Sequence, residues 1–267
     1  MQLSLFASGS SGNCALLRFG RYRLLLDAGI SARAIRNALA DAGTAPSELD
    51  GILITHEHSD HVSGLSVLLK HDPLPVFAPG TVASCLCAAY SGVESCLHTV
   101  EPERPFSFGD ASIVCFPTPH DTPQSVGWRI ETPEGVFALA TDTGHVTSTM
   151  LRYLGGADIA VIEANHDERM LREGPYPFPL KRRVLSDSGH LSNTDCAALA
   201  RRLAEQGTHQ IVLAHLSREN NRPEIARDTV LAALAGTQTE LYVAPTRERM
   251  DIEVQPCFAY AYSAKGV

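Results

Sequence analysis

Gly51-Ile52-Leu53-Ile54-Thr55-His56-Glu57-His58-Ser59-Asp60-His61 is the stretch that decides the fold. It opens as a short, continuous apolar run, the pattern of a strand buried on both faces. It closes on histidines 56, 58 and 61 and on Asp60. In an extended segment side chains alternate with period two, so His56, His58 and Asp60 share one direction and His61 takes another. Four such ligands do not readily converge on one ion. They serve two neighbouring ions, with His56 and His58 on one and Asp60 and His61 on the other. Imidazole and carboxylate suit zinc, manganese, iron or nickel. The motif has no thiolate, which argues against a closed structural zinc site. A solvated polar loop is the competing reading, and this spacing behind a buried strand disfavours it.

Working outward, other polar residues follow apolar runs in the same way. His120 comes after the run ending at Phe116, Asp142 after residues 135–141, and His215 after residues 210–214. In α/β sheets, ligands gather at the carboxyl ends of strands. Asp142 has two oxygens and is the expected bridge between the ions. His120 completes the His56/His58 ion, and His215 completes the Asp60/His61 ion. Any one of the three alone would read as structural; their shared placement groups them.

The remaining sequence supports an α/β chain. Residues 3–7, 14–19 and 23–27 read as strands, and residues 106–116 and 125–131 as an antiparallel pair. Helices are expected over 31–42, 62–70, 80–90, 193–206 and 223–235, with Ser31 as a cap. No repeat beyond the strand–helix alternation and no linker divides the chain, so residues 1–267 are expected to form one domain. Hydrophobic residues make up 44% and charged residues 19%, enough for a sizeable core. The net charge of -8 argues against whole-surface binding to nucleic acid or anionic membrane, but not against a local basic strip. No apolar run approaches the roughly 20 residues that span a membrane, and no leader pattern opens the chain. Seven cysteines scattered over this length do not read as a disulfide framework. A cytoplasmic location is expected. Cys85, Cys87, Cys96 and His98 are spaced poorly for a zinc knuckle and read as free thiols and a lone histidine.

These motifs carry a resemblance. Thr55-His56-Glu57-His58-Ser59-Asp60-His61 resembles the first signature of the metallo-β-lactamase superfamily. Residues 7–13, Glu163-Ala164-Asn165-His166-Asp167, residues 186–193 and residues 214–221 look like the YycJ/WalJ group within it. The resemblance runs from about residue 3 to the 240s. It implies an αββα four-layer sandwich with a dinuclear site at one edge. It implies two divalent ions, manganese or zinc, and 5′→3′ DNA exonuclease chemistry driven by a metal-bridging hydroxide that Asp60 would help to orient. Nucleic acid, DNA in preference, is the implied partner, and no membrane.

A second likeness concerns Gly189-His190-Leu191-Ser192, followed by a helix, a strand and His215. It is similar to the region of the tRNA 3′-processing nucleases that holds a His-Ser-Thr motif, although Leu191-Ser192 stands where those have Ser-Thr. By that likeness His190 protonates the leaving group and Glu163 supports it. Ser192 and Asn193 are then substrate contacts, with capping of the next helix as the competing role. Lys181 and Arg182, in an aromatic and basic stretch before His190, suit phosphate and base contacts. Ser10, Ser11 and Asn13 suit a phosphate-binding loop, and Asn165 and His166 a place in the pocket wall. Two alternatives remain: a phosphodiesterase for small cyclic phosphates, and a non-catalytic nucleic-acid-binding protein of the same fold. The completeness of the ligand set speaks against the second.

Overall fold

A computed structural model describes residues 1–254 of the chain. Residues 255–267, part of the expected single domain, lie outside the described residues. Alternating and apolar runs become β1 (Gln2–Ala7), β2 (Cys14–Phe19), β3 (Tyr22–Leu26), β4 (Gly51–Leu53), β5 (Val76–Pro79) and β6 (Leu97–Val100). The second set is β7 (Phe106–Phe108), β8 (Ala111–Pro117), β9 (Val126–Thr132), β10 (Gly135–Ala140), β11 (Ile159–Glu163), β12 (Gln210–Ala214) and β13 (Glu240–Val243). Finally β14 (Met250–Glu253) returns to pair with β1. The result is two 7-stranded sheets, ordered β14-β1-β2-β3-β4-β5-β6 and β13-β12-β11-β10-β9-β8-β7.

The two orders follow one plan. From β14 to β3, and from β7 to β10, neighbours run antiparallel. From β3 to β6, and from β10 to β13, they run parallel. The sequence shows no repeat, yet its topology repeats. Parallel strands carry crossovers that cover both faces of a sheet. Accordingly every residue of β11 and β12 is buried.

Three apolar layers hold the sandwich. Between the sheets pack Leu3, Leu17 and Leu24 from one side and Trp128, Phe137 and Val161 from the other. Leu16, Leu25 and Ile52 leave the outer face of the first sheet against Ile35, Leu39, Leu65 and Val82 on helices. Ala138, Ile162 and Leu213 do the same on the second sheet against Met150, Leu199, Leu203 and Val230. This is the expected αββα order, α/β in class. Each fully buried Leu, Ile or Phe contributes roughly 1.5–3 kcal/mol of apolar transfer. No described helix is long and apolar enough to cross a membrane.

Local differences from the sequence reading have local causes. The strand expected over 51–55 ends at Leu53, because the Thr55 N–H leaves the ladder for the Asp27 carboxylate. The helix expected over 62–70 is split into Ser59–Val62 and Leu65–His71. Between them a Cβ on Gly64 would sit 2.1 Å from the Ile30 carbonyl oxygen, so the chain can cross there only as glycine.

Candidate metal centre

Three strand ends carry the same strain. Asp27 follows β3, Asp142 lies two residues past β10, and His215 follows β12. Their φ angles are 56°, 54° and 56°, the left-handed region that non-glycine residues seldom occupy. Such strain persists where surrounding bonds fix it, and it gathers at functional sites. The bonds are present. The His215 N–H donates to Ser8 Oγ at 2.8 Å, and its carbonyl accepts from Asn165 Nδ2 at 3.0 Å. The Asp27 N–H donates to the Leu53 carbonyl at 2.9 Å.

The turns at Asp142 and His215 aim their side chains into one cleft, and the turn at Asp27 sets its carboxylate behind His61. His58 Nδ1 lies 3.1 Å from His56 Nε2 and 3.3 Å from His120 Nε2, forming one cluster. Asp60 Oδ2 lies 3.4 Å from His215 Nε2 and 3.7 Å from His61 Nε2, forming a second. Asp142 touches both. Its Oδ2 lies 3.2 Å from His61 Nε2, and its Oδ1 lies 3.8 Å from His120 Nε2. The structure thus brings together all seven residues expected to bind metal.

Behind the clusters stand residues that fix the rings. Asp27 Oδ2 accepts from His61 Nδ1 at 2.7 Å, and Thr55 braces Asp27 through its N–H and hydroxyl. His120 Nδ1 donates to the Gly189 carbonyl at 3.1 Å. Glu163 Oε1 accepts from both His190 Nδ1 and His215 Nδ1, each at 2.8 Å, while Oε2 accepts from the Thr143 and Leu191 N–H groups. Fixing Nδ1 in this way leaves Nε2 free to ligate. Asp27 went unread in the sequence. It obeys the same rule as Asp142, a polar residue just past an apolar strand.

The electrostatics call for positive charge. Burial would raise Asp142, but His215 and His61 outweigh it and hold the carboxyl well below its usual range. Burial likewise works against the other groups. Glu163 is nonetheless held to about 2, by His190 first and then His215. His215 is driven up to about 10 by Asp142, Asp60 and Glu163. Asp142 Oδ2 is buried with no hydrogen-bond donor, among the described residues. An unmatched buried carboxylate oxygen is expensive, and a bound cation is the chemistry that satisfies it. This donor set, imidazole nitrogens around a shared carboxylate, fits divalent metal ions.

His58, Asp60, His120, Asp142 and His215 line a cleft of about 250 Å³, together with Ser10, Asp121, Asn165, Tyr176, Leu180, Arg183, His190 and Ser217, while His56 and His61 lie buried beneath them. His190 presents its remaining ring nitrogen there. Burial would lower His190, but the Glu163 charge and hydrogen bond outweigh it, and the net shift is upward. Arg183, which ion-pairs with Asp121 across the cleft mouth, is the basic residue that reaches this space.

Several expected substrate contacts turn elsewhere. Lys181 and Arg182 face a separate groove on the far side of their helix. Ser11 accepts from Arg218 and lines a different cavity, so Ser10 alone of its pair meets the cleft. Asn13 points inward: Oδ1 accepts from the Gly9 N–H, and Nδ2 lies 3.0 Å from His61 Nε2. His166 is fully enclosed and lines no part of the cleft. Ser192 caps the helix Asn193–Glu205 by accepting from the Asp195 N–H, which is the competing role. Asn193 exchanges two amide bonds of 2.9 Å with Asn221. Among the described residues, Cys85, Cys87, Cys96 and His98 join no metal-competent group.

Comparison with known proteins agrees with this geometry. The family described as beta-lactamase superfamily domain matches residues 22–216. The exodeoxyribonuclease WalJ of Streptococcus pneumoniae is 41% identical over 235 residues, 87% of either chain. The exodeoxyribonuclease YycJ of Bacillus anthracis is 36% identical over 242 residues, 88% of this chain and 89% of that one. In three dimensions the metallo-beta-lactamase fold protein YhfI of Bacillus subtilis superposes with a TM-score of 0.71 at 15% identity, covering 94% of this chain and 99% of its own. The chain belongs to the metallo-β-lactamase superfamily of metal-dependent hydrolases, in its WalJ/YycJ-like group.

Proposed function

We propose that this protein is a DNA exonuclease, working in the 5′→3′ direction as one domain, with two divalent ions. His56, His58 and His120 would hold one ion, Asp60, His61 and His215 the other, and Asp142 would face both. The observation that carries this reading is that the seven expected ligands cluster together, with His58, Asp60, His120, Asp142 and His215 lining one cleft beside His190, which Glu163 holds from behind. The identity to two exodeoxyribonucleases over most of the chain supports DNA as substrate. Bound there, divalent ions lower the pKa of water and act as Lewis acids toward phosphate oxygens.

The chain's own residues do the rest. Asp27 and Glu163 keep His61 and His215 in their ligating orientation. Glu163 also turns His190 so that Nε2 faces the cleft, and the raised pKa of His190 keeps a proton there for the departing oxygen. Arg183 sits at the mouth, where its guanidinium suits a phosphate next to the scissile one.

Purified protein with 5′-labelled single- and double-stranded DNA and manganese tests the reading, with zinc as the second ion tried. Progressive loss of nucleotides from the 5′ end is the expected result. A second reading, hydrolysis of a small cyclic phosphodiester, is favoured by the cleft's modest volume of about 250 Å³. No digestion of any nucleic acid, with turnover of cyclic nucleotides, would replace the first reading by the second.

A further inference from the structure

The helix Phe178–Val184 has two faces that do different things. Leu180, Arg183 and Val184, spaced i, i+3, i+4, line the metal cleft. Phe178, Lys181, Arg182 and Leu185, spaced i, i+3, i+4, i+7, line a separate groove of about 470 Å³ together with Arg172 and Ser186. Phe178 is 75% exposed and Leu185 45% exposed, unusual for large apolar side chains.

Charge also marks this face. The protein carries a net -8, yet Arg172, Lys181 and Arg182 gather here around an open aromatic ring. Lys181 spends its ammonium on the Arg172 carbonyl, and Arg172 pairs with Glu168 at the surface. Arg182 has no ion pair among the described residues. An exposed ring ringed by cations matches a strand whose bases stack and whose phosphates are anionic. It does not match an apolar protein helix, which would leave these cations desolvated.

The geometry points to a secondary binding face for single-stranded nucleic acid, with a base stacked on Phe178 and a phosphate held by Arg182. This rests on the nuclease reading for its purpose: it gives the strand a hold outside the small cleft. A helix is about 10 Å across, and a stacked strand advances about 3.4 Å per nucleotide. The face therefore meets nucleotides about three removed from the one in the cleft.

The test is fluorescence anisotropy with a labelled phosphorothioate single strand of about twelve nucleotides, long enough for one site. Phe178→Ala should weaken binding about 5- to 100-fold, and Phe178→Trp should restore it while Phe178→Leu does not. Arg182→Ala should flatten the salt dependence by roughly one released counterion. Equal affinity in wild type, Phe178→Ala and Arg182→Ala overturns the assignment, as does absence of strand binding by the wild type. A change of oligomeric state in Phe178→Ala with unchanged strand affinity also overturns it, and makes the face a contact between copies. Digestion is scored separately. Strand binding through this face without digestion of any nucleic acid would sink the nuclease reading and leave this one standing.

Discussion

At the end of β3 stands Asp27-Ala28-Gly29, and at the matching point of the other sheet, past β10, stands Asp142-Thr143-Gly144. Both aspartates are buried and left-handed, with φ of 56° and 54°. Both glycines lie where the chain passes against another segment. A Cβ would fall 1.7 Å from the Asp60 carbonyl oxygen at Gly29 and 2.3 Å from the Asp187 carbonyl oxygen at Gly144. The carboxylates nevertheless differ in what they meet. Asp27 is saturated by the Thr55 N–H, the Thr55 hydroxyl and His61 Nδ1. Asp142 keeps one oxygen without a donor and faces the ligating side of His61. One backbone device thus supplies an orienting carboxylate in the first half and a ligand carboxylate in the second. The neighbours differ: Thr55, two residues past β4, brings donors to Asp27, whereas Glu163, at the end of β11, is itself an acceptor.

The sharpest way to break this comparison is to neutralise both carboxylates. Asp142→Asn should lose bound metal and reduce DNA digestion by roughly 10³-fold or more, because it removes the shared anionic ligand. Asp27→Asn should keep most of the metal and reduce digestion by about 10- to 100-fold, the usual effect of a partner behind a ligand. Metal content of the purified variants, read beside their rates, decides. Equal losses of metal would mean that the two aspartates are not divided in this way.

His190→Ala comes next in size. Its ring stands beside Asp142 and His215 within reach of a metal, but its Nδ1 is taken by Glu163 and it belongs to neither His56/His58/His120 nor Asp60/His61/His215, so the variant should retain metal while turnover falls about 10²- to 10⁴-fold. Loss of metal in this variant would move His190 from proton donor to ligand. Glu163→Gln follows. Glu163 holds two imidazoles where Asp27 holds one, so its loss should exceed that of Asp27→Asn, on the order of 100-fold. A smaller loss than in Asp27→Asn would show that the second half tolerates a slack ring better than the first.

The halves also differ in how well the sequence reveals them. In the first half the ligands His56, His58, Asp60 and His61 share one loop, and contiguous spacing is visible in any sequence. In the second half His120, Asp142 and His215 come from separate strand ends. Only the rule that polar residues follow buried strands gathered them. The β1–β3 meander, β11, β12 and the capped helix at Ser31 were legible because apolar periodicity and capping are local. What escaped depends on side-chain direction across long separations. Lys181, Arg182 and Arg183 are adjacent in sequence, and the helical turn alone sends Arg183 to the cleft and the other two away from it. Asn193 stands close to His190 in the sequence, but its amide is taken by Asn221 on another loop. Asp27 closes an apolar run as Asp142 does, but it reads as the last residue of the strand over 23–27, and its partner His61 lies 34 positions away.

The smallest expected effect concerns a histidine that follows a strand in the second half without entering the cleft. His58, past β4, stands in the cleft; His166, past β11, is buried with both ring nitrogens unpartnered among the described residues. Burial lowers the pKa of His166 to about 4, so it stays neutral in the fold at pH values where the unfolded chain protonates it. A depressed histidine contributes stability that is fully present above the unfolded pKa, about 6.5, and is lost as pH falls toward the folded value. Between pH 7 and pH 4.5 the loss from this residue should be about 2 kcal/mol. Urea titrations of wild type and His166→Leu at both pH values isolate it, because the double difference cancels the acid release of metal that both proteins share. A wild type that loses no more stability than His166→Leu over this range would mean that the ring is already charged or paired, and that the second half does use its histidine after all.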